Sequence, residues 1–237
     1  MDVHKPKPVT NWRELFKEWG IIVLGVLTAL LAEQAVQWFD WHQKVNAAIA
    51  DMDNELTRGD GPQAYARLAI HDCVATRLDE LRAAIEGGKR PDSRKLIDAF
   101  WLPKRTWDSL ARESATASDV ASHLPHDRML QYRIAYETVP DLQRLADKEL
   151  ADLGSLRALP ATGGSIETIE KLTALEAIEG LKLDNDASAR EARFLLNHLD
   201  QLRLPLDPAF VAQNMQAPRA HLGACLKSPS GESAAAD

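Results

Sequence analysis

Residues 19–39 read WGIIVLGVLTALLAEQAVQWF, and the rest of the chain is read outward from this stretch. Its first fourteen residues carry no charge. From Ile21 to Leu31 it is apolar on every side, so it offers no polar face of the kind a soluble amphipathic helix turns to water. Fourteen residues alone are too few to cross a bilayer, and the flanks supply the missing length. Four of the six tryptophans lie here, Trp12 and Trp19 before the apolar run and Trp38 and Trp41 after it. Trp19 and Trp38 are nineteen positions apart, about 29 Å along a helix, which matches the hydrocarbon thickness of a bilayer. Indole rings favour both interfaces, so the pattern predicts a transmembrane helix over residues 19–39. A cleaved signal peptide is the rival reading, but pairs such as Leu30 with Ala32 lack the small-x-small pattern of a cleavage site.

Lys5, Lys7, Arg13 and Lys17 precede the segment, and Lys44 is the only base in the first sixteen residues after Trp41. The positive-inside rule therefore makes residues 1–18 a cytoplasmic tail and residues 40–226 an exported domain, periplasmic in a Gram-negative cell. Past residue 41 the chain holds 30 acidic and 24 basic side chains, a charge near -6. The whole chain of 237 residues carries -7, so neither nucleic acid nor an anionic membrane surface is an expected partner of the domain. The lipid bilayer is the partner the segment itself implies. Glu33 lies inside the outer interface and must snorkel, protonate or find a partner. Gly25, Ala29 and Ala32 form a small-residue stripe beside it, which would let two membrane helices approach closely as a homodimer.

With 45% hydrophobic and 6% aromatic residues, 12 glycines and few β-branched runs, the composition predicts an all-α fold. Asn11 and Glu14 have capping-box spacing and set a helix start at Trp12. Trp38, Trp41, Val45, Ala48, Met52 and Leu56 repeat at three and four, extending the membrane helix rigidly into the domain until Gly59, Asp60, Gly61 and Pro62 break it. A second helix is expected over 63–85, with Leu68, Cys73, Leu78, Leu81 and Ile85 on or near its buried side and a stop at Gly87 and Gly88. Prolines 91, 103 and 125 divide residues 91–124 into short helices and turns. Pro125 then opens a third helix to about residue 153, with Met129, Tyr132, Tyr136 and Val139 on one face and a bend at Pro140. Residues 154–165 read as a loop. A fourth helix over 166–204 carries Ile169, Leu172, Leu175, Ile178, Leu195, Leu199 and Leu202, interrupted by the polar run DNDAS at 184–188; one kinked helix and two halves are both compatible with it. Asp207 and Pro208 start a last helix through Cys225, and residues 227–237 read as a disordered tail. These elements imply a helical bundle.

Cys73 and Cys225 are the only cysteines. An exported location favours a disulfide between them over two buried thiols, and the absence of CxxC argues against redox catalysis. The HLPHD run holds His123, His126 and Asp127 close together, but without a distant third ligand it reads as a solvated helix start rather than a metal site. His198 and His221 are isolated and read as surface or core residues. Trp101, Lys104, Arg105, Trp107 and Arg112 combine cations with aromatic faces and form the one candidate anion or ligand site. The alternative is that both tryptophans plug the end of the bundle. No GxSxG, phosphate loop, HExxH or dinucleotide fingerprint occurs, so catalysis is not expected and no cofactor is implied.

The runs NWRELFKEWGIIVLGVLTALLAEQAVQW, HDCVATRLDELRAAI, TWDSLARESATASDVASHLPHDRMLQYRIAY and AHLGACLKS resemble a group of alphaproteobacterial single-pass membrane proteins with one exported helical domain. The resemblance implies a bacterial inner membrane and supports the pairing of Cys73 with Cys225. The group has no assigned activity, so it transfers no functional residue. The expected role is a binding or scaffolding module acting on a protein partner or a second copy; the alternative is a periplasmic small-ligand sensor working through a membrane partner.

Overall fold

The computed structural model describes residues 12–89, 106–157 and 166–226. The fold is all-α, and no strand occurs among the described residues. In chain order the helices are α1 (Trp12–Asn54), α2 (Gly61–Glu86), α3 (Leu110–Ala117), α4 (His126–Arg157), α5 (Thr168–Gln201) and α6 (Pro208–Leu222). A π-helical turn, Glu55–Asp60, joins α1 to α2, and 3-10 turns occupy Val120–His123 and Gly223–Cys225. The chain divides into two compact units, residues 1–47 and 48–237.

In the first unit, α1 is the one stretch among the described residues long and apolar enough to cross a membrane, with a mean hydropathy of 1.8 over an 18-residue window. None of that window is buried within the protein. The helix is already formed at Trp12, the first described residue; Asn11 and the Glu14 side chain, which carry the expected capping box, lie outside the described residues. Thr28 donates its hydroxyl to the Leu24 carbonyl at 2.7 Å, so the polar group in the apolar run is satisfied within the helix. Glu33 Oε1 accepts from Gln37 Nε2 at 3.3 Å, a local partner one turn on. Aromatic rings collar the segment. Trp12 meets Phe16 edge-on with centroids 4.9 Å apart, Trp38 lies against His42 at 4.5 Å, and Lys44 sits 5.1 Å from the Trp41 ring.

In the second unit, α5 packs against both α2 and α4, and α6 lies along α2. Ile70, Cys73, Val74, Leu78, Leu81 and Ile85 of α2 meet Leu153 and Leu156 of α4, Ala174, Ala177, Ile178 and Leu181 of α5, and Leu222 of α6. Small residues on α5 let the helices close in: a Cβ on Gly180 would strike the carboxylate of Asp152. Met52 and Leu56, expected on the continuing apolar stripe, are buried.

Several expectations change. The Gly59 to Pro62 run does not break the chain into separate helices. Pro62 has no N–H to contribute to a regular turn, and the Gly61 N–H reaches the Leu56 carbonyl in a wider one, so helical structure continues into α2 with proline in its first turn. Gly61 is required there, because a Cβ would collide with Leu206, Leu199 and the Leu56 carbonyl. The buried stripe of α2 takes Arg67, while Leu68 is half-buried. The DNDAS run does not interrupt α5, which is one 34-residue helix; Asp184, Asn185 and Ser188 face inward. Of the apolar residues that this helix carries, Ile169 and Leu172 are exposed.

Elsewhere the local chemistry agrees with the sequence. Asp207 caps α6, its Oδ1 accepting from the Ala209 N–H at 3.0 Å, and Pro208 follows. Gly88 takes the left-handed conformation (φ 74°) just past α2. Pro125 is the residue before α4 rather than its first, its carbonyl accepting from Met129 N at 2.9 Å. The α4 helix runs on through exposed Pro140 to Arg157. Tyr132, Tyr136 and Val139 are buried, and Met129 is partly so. The tail at 227–237 and the loop at 158–165 lie outside the described residues.

Candidate functional site

Among the described residues, buried carboxyls and a buried arginine gather in two places. The first is built on the π-helical turn, a geometry that places its side chains differently from an α-helix and is enriched where function requires it. Asp60, its last residue, is 1% exposed. Its Oδ1 accepts from the Asp108 N–H at 3.4 Å, and its Oδ2 meets no hydrogen-bond partner. Burial pushes this carboxyl up to about 8; the Asp108 N–H opposes the shift, and the nearby charges of Glu55 and Asp108 add to it. Asp60 is therefore mainly protonated near neutral pH, a hydroxyl donor rather than an anion. Glu55, at the other end of the turn, accepts the Ala111 N–H at 2.9 Å and so fixes the start of α3. The Tyr136 hydroxyl, raised by burial and by Glu55 and Asp60, closes the cluster from α4.

Trp107 belongs to this cluster. The segment leading into α3 is pinned by Gln63 Nε2 donating to the Thr106 carbonyl at 3.0 Å and by the Trp107 N–H donating to Gln143 Oε1 at 3.2 Å. Its indole is buried, with Nε1 unpartnered. Arg112 is half-buried on α3. Trp101, Lys104 and Arg105, the other members of the candidate ligand site, lie outside the described residues. The segment carrying Trp107 meets the carboxyl of Asp60 at the Asp108 N–H and that of Glu55 at the Ala111 N–H, acceptors where an anion would need cations or donors. The acidic surroundings come from a turn some 50 residues upstream, which a local reading of residues 101–114 had no means of including.

The second polar place lies deeper between α2, α4 and α5. Arg67 is fully buried and bonds Glu149 of α4, itself 3% exposed. Desolvation lowers the arginine from its ordinary value, and the charges of Glu149 and Asp184 oppose that. Arg67 Nε and Nη1, Asp184 Oδ2, Asn185 Oδ1 and Ser188 Oγ have no hydrogen-bond partner. Lys148 reaches Asp184 at 3.0 Å from the rim, and Asn185 Nδ2 donates to the His71 carbonyl at 3.1 Å. Nearby, Asp152 is raised by burial first and by the charge of Asp184 next. Sequence reading missed this layer because its members are spread over residues 67, 149 and 184–188. The one available signal was a polar run inside a long apolar helix.

At the rim, the His71 ring lies between Asp72 Oδ1 and Asp186 Oδ1, each 2.9 Å away. His123, His126 and Asp127 are exposed. No group of three His, Cys, Asp or Glu side chains able to hold a metal occurs among the described residues. The sulfurs of Cys73 and Cys225 lie at disulfide distance, with Cα atoms 5.6 Å apart across 152 positions of sequence. Cys73 is buried in the core and Cys225 is exposed. Gly25, Ala29 and Ala32 are all exposed, and a Cβ on Gly25 would meet nothing within 4 Å.

No family model matches the chain, and neither a curated protein nor a solved structure is similar to it.

Proposed function

We propose that the chain is a membrane-anchored helical module that works by binding or scaffolding rather than by catalysis, with residues 1–18 in the bacterial cytoplasm and residues 40–226 in the periplasm. The observation that carries the reading is the apolar window near the N-terminus, none of which is buried within the protein. Leaving Ile21, Ile22, Leu24 and Leu31 each more than 60% exposed costs free energy in water and is favourable in lipid. The paired cysteines support export, since cytosolic reductants keep thiols apart.

Reporter fusions and membrane extraction test this. A periplasm-dependent reporter should be active when fused after Leu226 and inactive after Pro8, and a cytoplasm-dependent reporter should behave in reverse. The protein should stay in the pellet after alkaline extraction. A soluble periplasmic species beginning near Glu33 would instead establish a cleaved signal peptide. A second reading, a small-ligand sensor acting through a membrane partner, is favoured by the unpartnered buried atoms of Asp60 and Trp107. Thermal stabilisation by a small molecule, lost in Arg105→Ala, would select it.

A further inference from the structure

The α5 helix has an outer face as well as an inner one. Residues 169, 172, 176, 183, 187, 190 and 194 recur at intervals of three, four and seven, so they share one side of the helix, opposite Ala174, Ile178, Leu181 and Leu195. On that side Ile169, Leu172, Leu183 and Phe194 are 78%, 63%, 67% and 47% exposed. Four large apolar side chains in one row are more than scattered surface residues, and they need a cover.

Five of the row's seven positions are symmetric about Leu183, whereas the counterparts of Ile169 and Ala187 would be Asn197 and Glu179. Leu172 and Phe194 each lie eleven positions from Leu183, and Glu176 and Arg190 each lie seven. An identical helix laid antiparallel across this face, with the two-fold axis at Leu183, sets Leu183 on its own copy. It also sets Leu172 on Phe194 twice and Glu176 on Arg190 twice. Apolar meets apolar, and each carboxylate meets a guanidinium, which is the self-complementarity an isologous interface requires. Glu176 and Arg190 are exposed, and neither is held in an ion pair among the described residues. A parallel pairing would oppose each charge to its own kind.

We propose that the outer face of α5 is a two-fold interface with a second copy of this chain, the two helices antiparallel and crossing at Leu183. This deepens the binding-module reading, which it rests on, by naming the partner; the anchor is not part of the contact.

The test uses the full-length protein in its native membranes, read on non-reducing gels after mild oxidation. Leu183→Cys should give a crosslinked dimer. Leu172→Cys and Phe194→Cys should each give none alone and a dimer when co-expressed. The charge pair supplies a second arm on the Leu183→Cys background. Glu176→Arg and Arg190→Glu should each reduce the dimer band several-fold, and the double exchange should restore it. A monomeric Leu183→Cys, or a dimer band indifferent to the charge exchange, overturns the proposal. So does crosslinking confined to Gly25→Cys, which would locate the contact in the apolar segment. Fractionation of the same sample reports anchoring separately, so loss of the dimer and loss of the anchor are distinguishable.

Discussion

Arg67 of α2 meets Glu149 of α4 inside the bundle, and both side chains are buried. The two charges tie helices that are 82 positions apart in sequence. Two of the guanidinium nitrogens lack a partner, so the pair is incompletely solvated by protein. Breaking one half leaves the other charge buried. Glu149→Ala is therefore expected to destabilise the domain by roughly 3–5 kcal/mol, whereas replacing both residues together by Met and Leu should cost far less or stabilise. Chemical denaturation of the single and double variants, followed by circular dichroism, gives both values.

Asp60 makes stability depend on pH in an unusual direction. Its folded-state value is about 8, against an ordinary 3.8. The folded chain thus holds a proton that the unfolded chain releases above pH 4. The stabilisation is complete below the unfolded value, declines as pH rises between the two, and is gone above the folded one. Asp60→Asn keeps an oxygen for the Asp108 N–H and never ionises. It should match the native chain near pH 4 and exceed it at pH 9 by several kcal/mol, at about 1.4 kcal/mol for each pH unit between the two values. Melting temperatures of the two proteins across this range check it, and parallel curves would mean the carboxyl ionises freely.

Gly61→Ala should destabilise although alanine is the better helix former. The added methyl would meet Leu199, Leu206 and a backbone oxygen, and the backbone oxygen cannot swing aside. A cost of roughly 1–3 kcal/mol follows from overpacking. Gly59, two positions earlier, has nothing within 4 Å of its Cβ direction. Gly59→Ala should therefore be neutral or stabilising, and melting of the two variants separates packing from helix propensity.

The paired cysteines predict that native protein isolated under alkylating conditions exposes no free thiol until it is reduced and unfolded. Cys225→Ser should cost about 2–5 kcal/mol, with the loss of the α2 to α6 tie as its physical basis. Two thiols labelled before reduction would mean the pair is open in the cell.

What could be read from sequence was what adjacent residues decide. The Asp207–Pro208 start, the Gly87–Gly88 stop and the tyrosine face of α4 follow from local spacing. What failed depended on distant residues. Arg67 occupies a core position because Glu149 awaits it, and an arginine among apolar positions does not announce such a partner. The DNDAS run looked like a gap because its buried polar groups face a layer contributed by two other helices. Ile169 and Leu172 lie in the open because apolar periodicity does not state which neighbour covers a face. Of the five residues in the candidate ligand site, Trp107 and Arg112 fall within the described residues, and carboxyls of the π-helical turn hold the backbone between them at Asp108 and Ala111.

The covalent tie between residues 73 and 225 has a mechanical consequence. Suppose a pull acts between the N-terminal segment and anything attached beyond Leu226. Tension then crosses from Cys73 to Cys225 through the sulfurs and bypasses the intervening chain. Extended length comes only from residues outside that ring, at about 3.4 Å each. All of α4 and α5 lies within the shielded ring. Such a load could peel α1 and the first turns of α2 while the face centred on Leu183 stays slack.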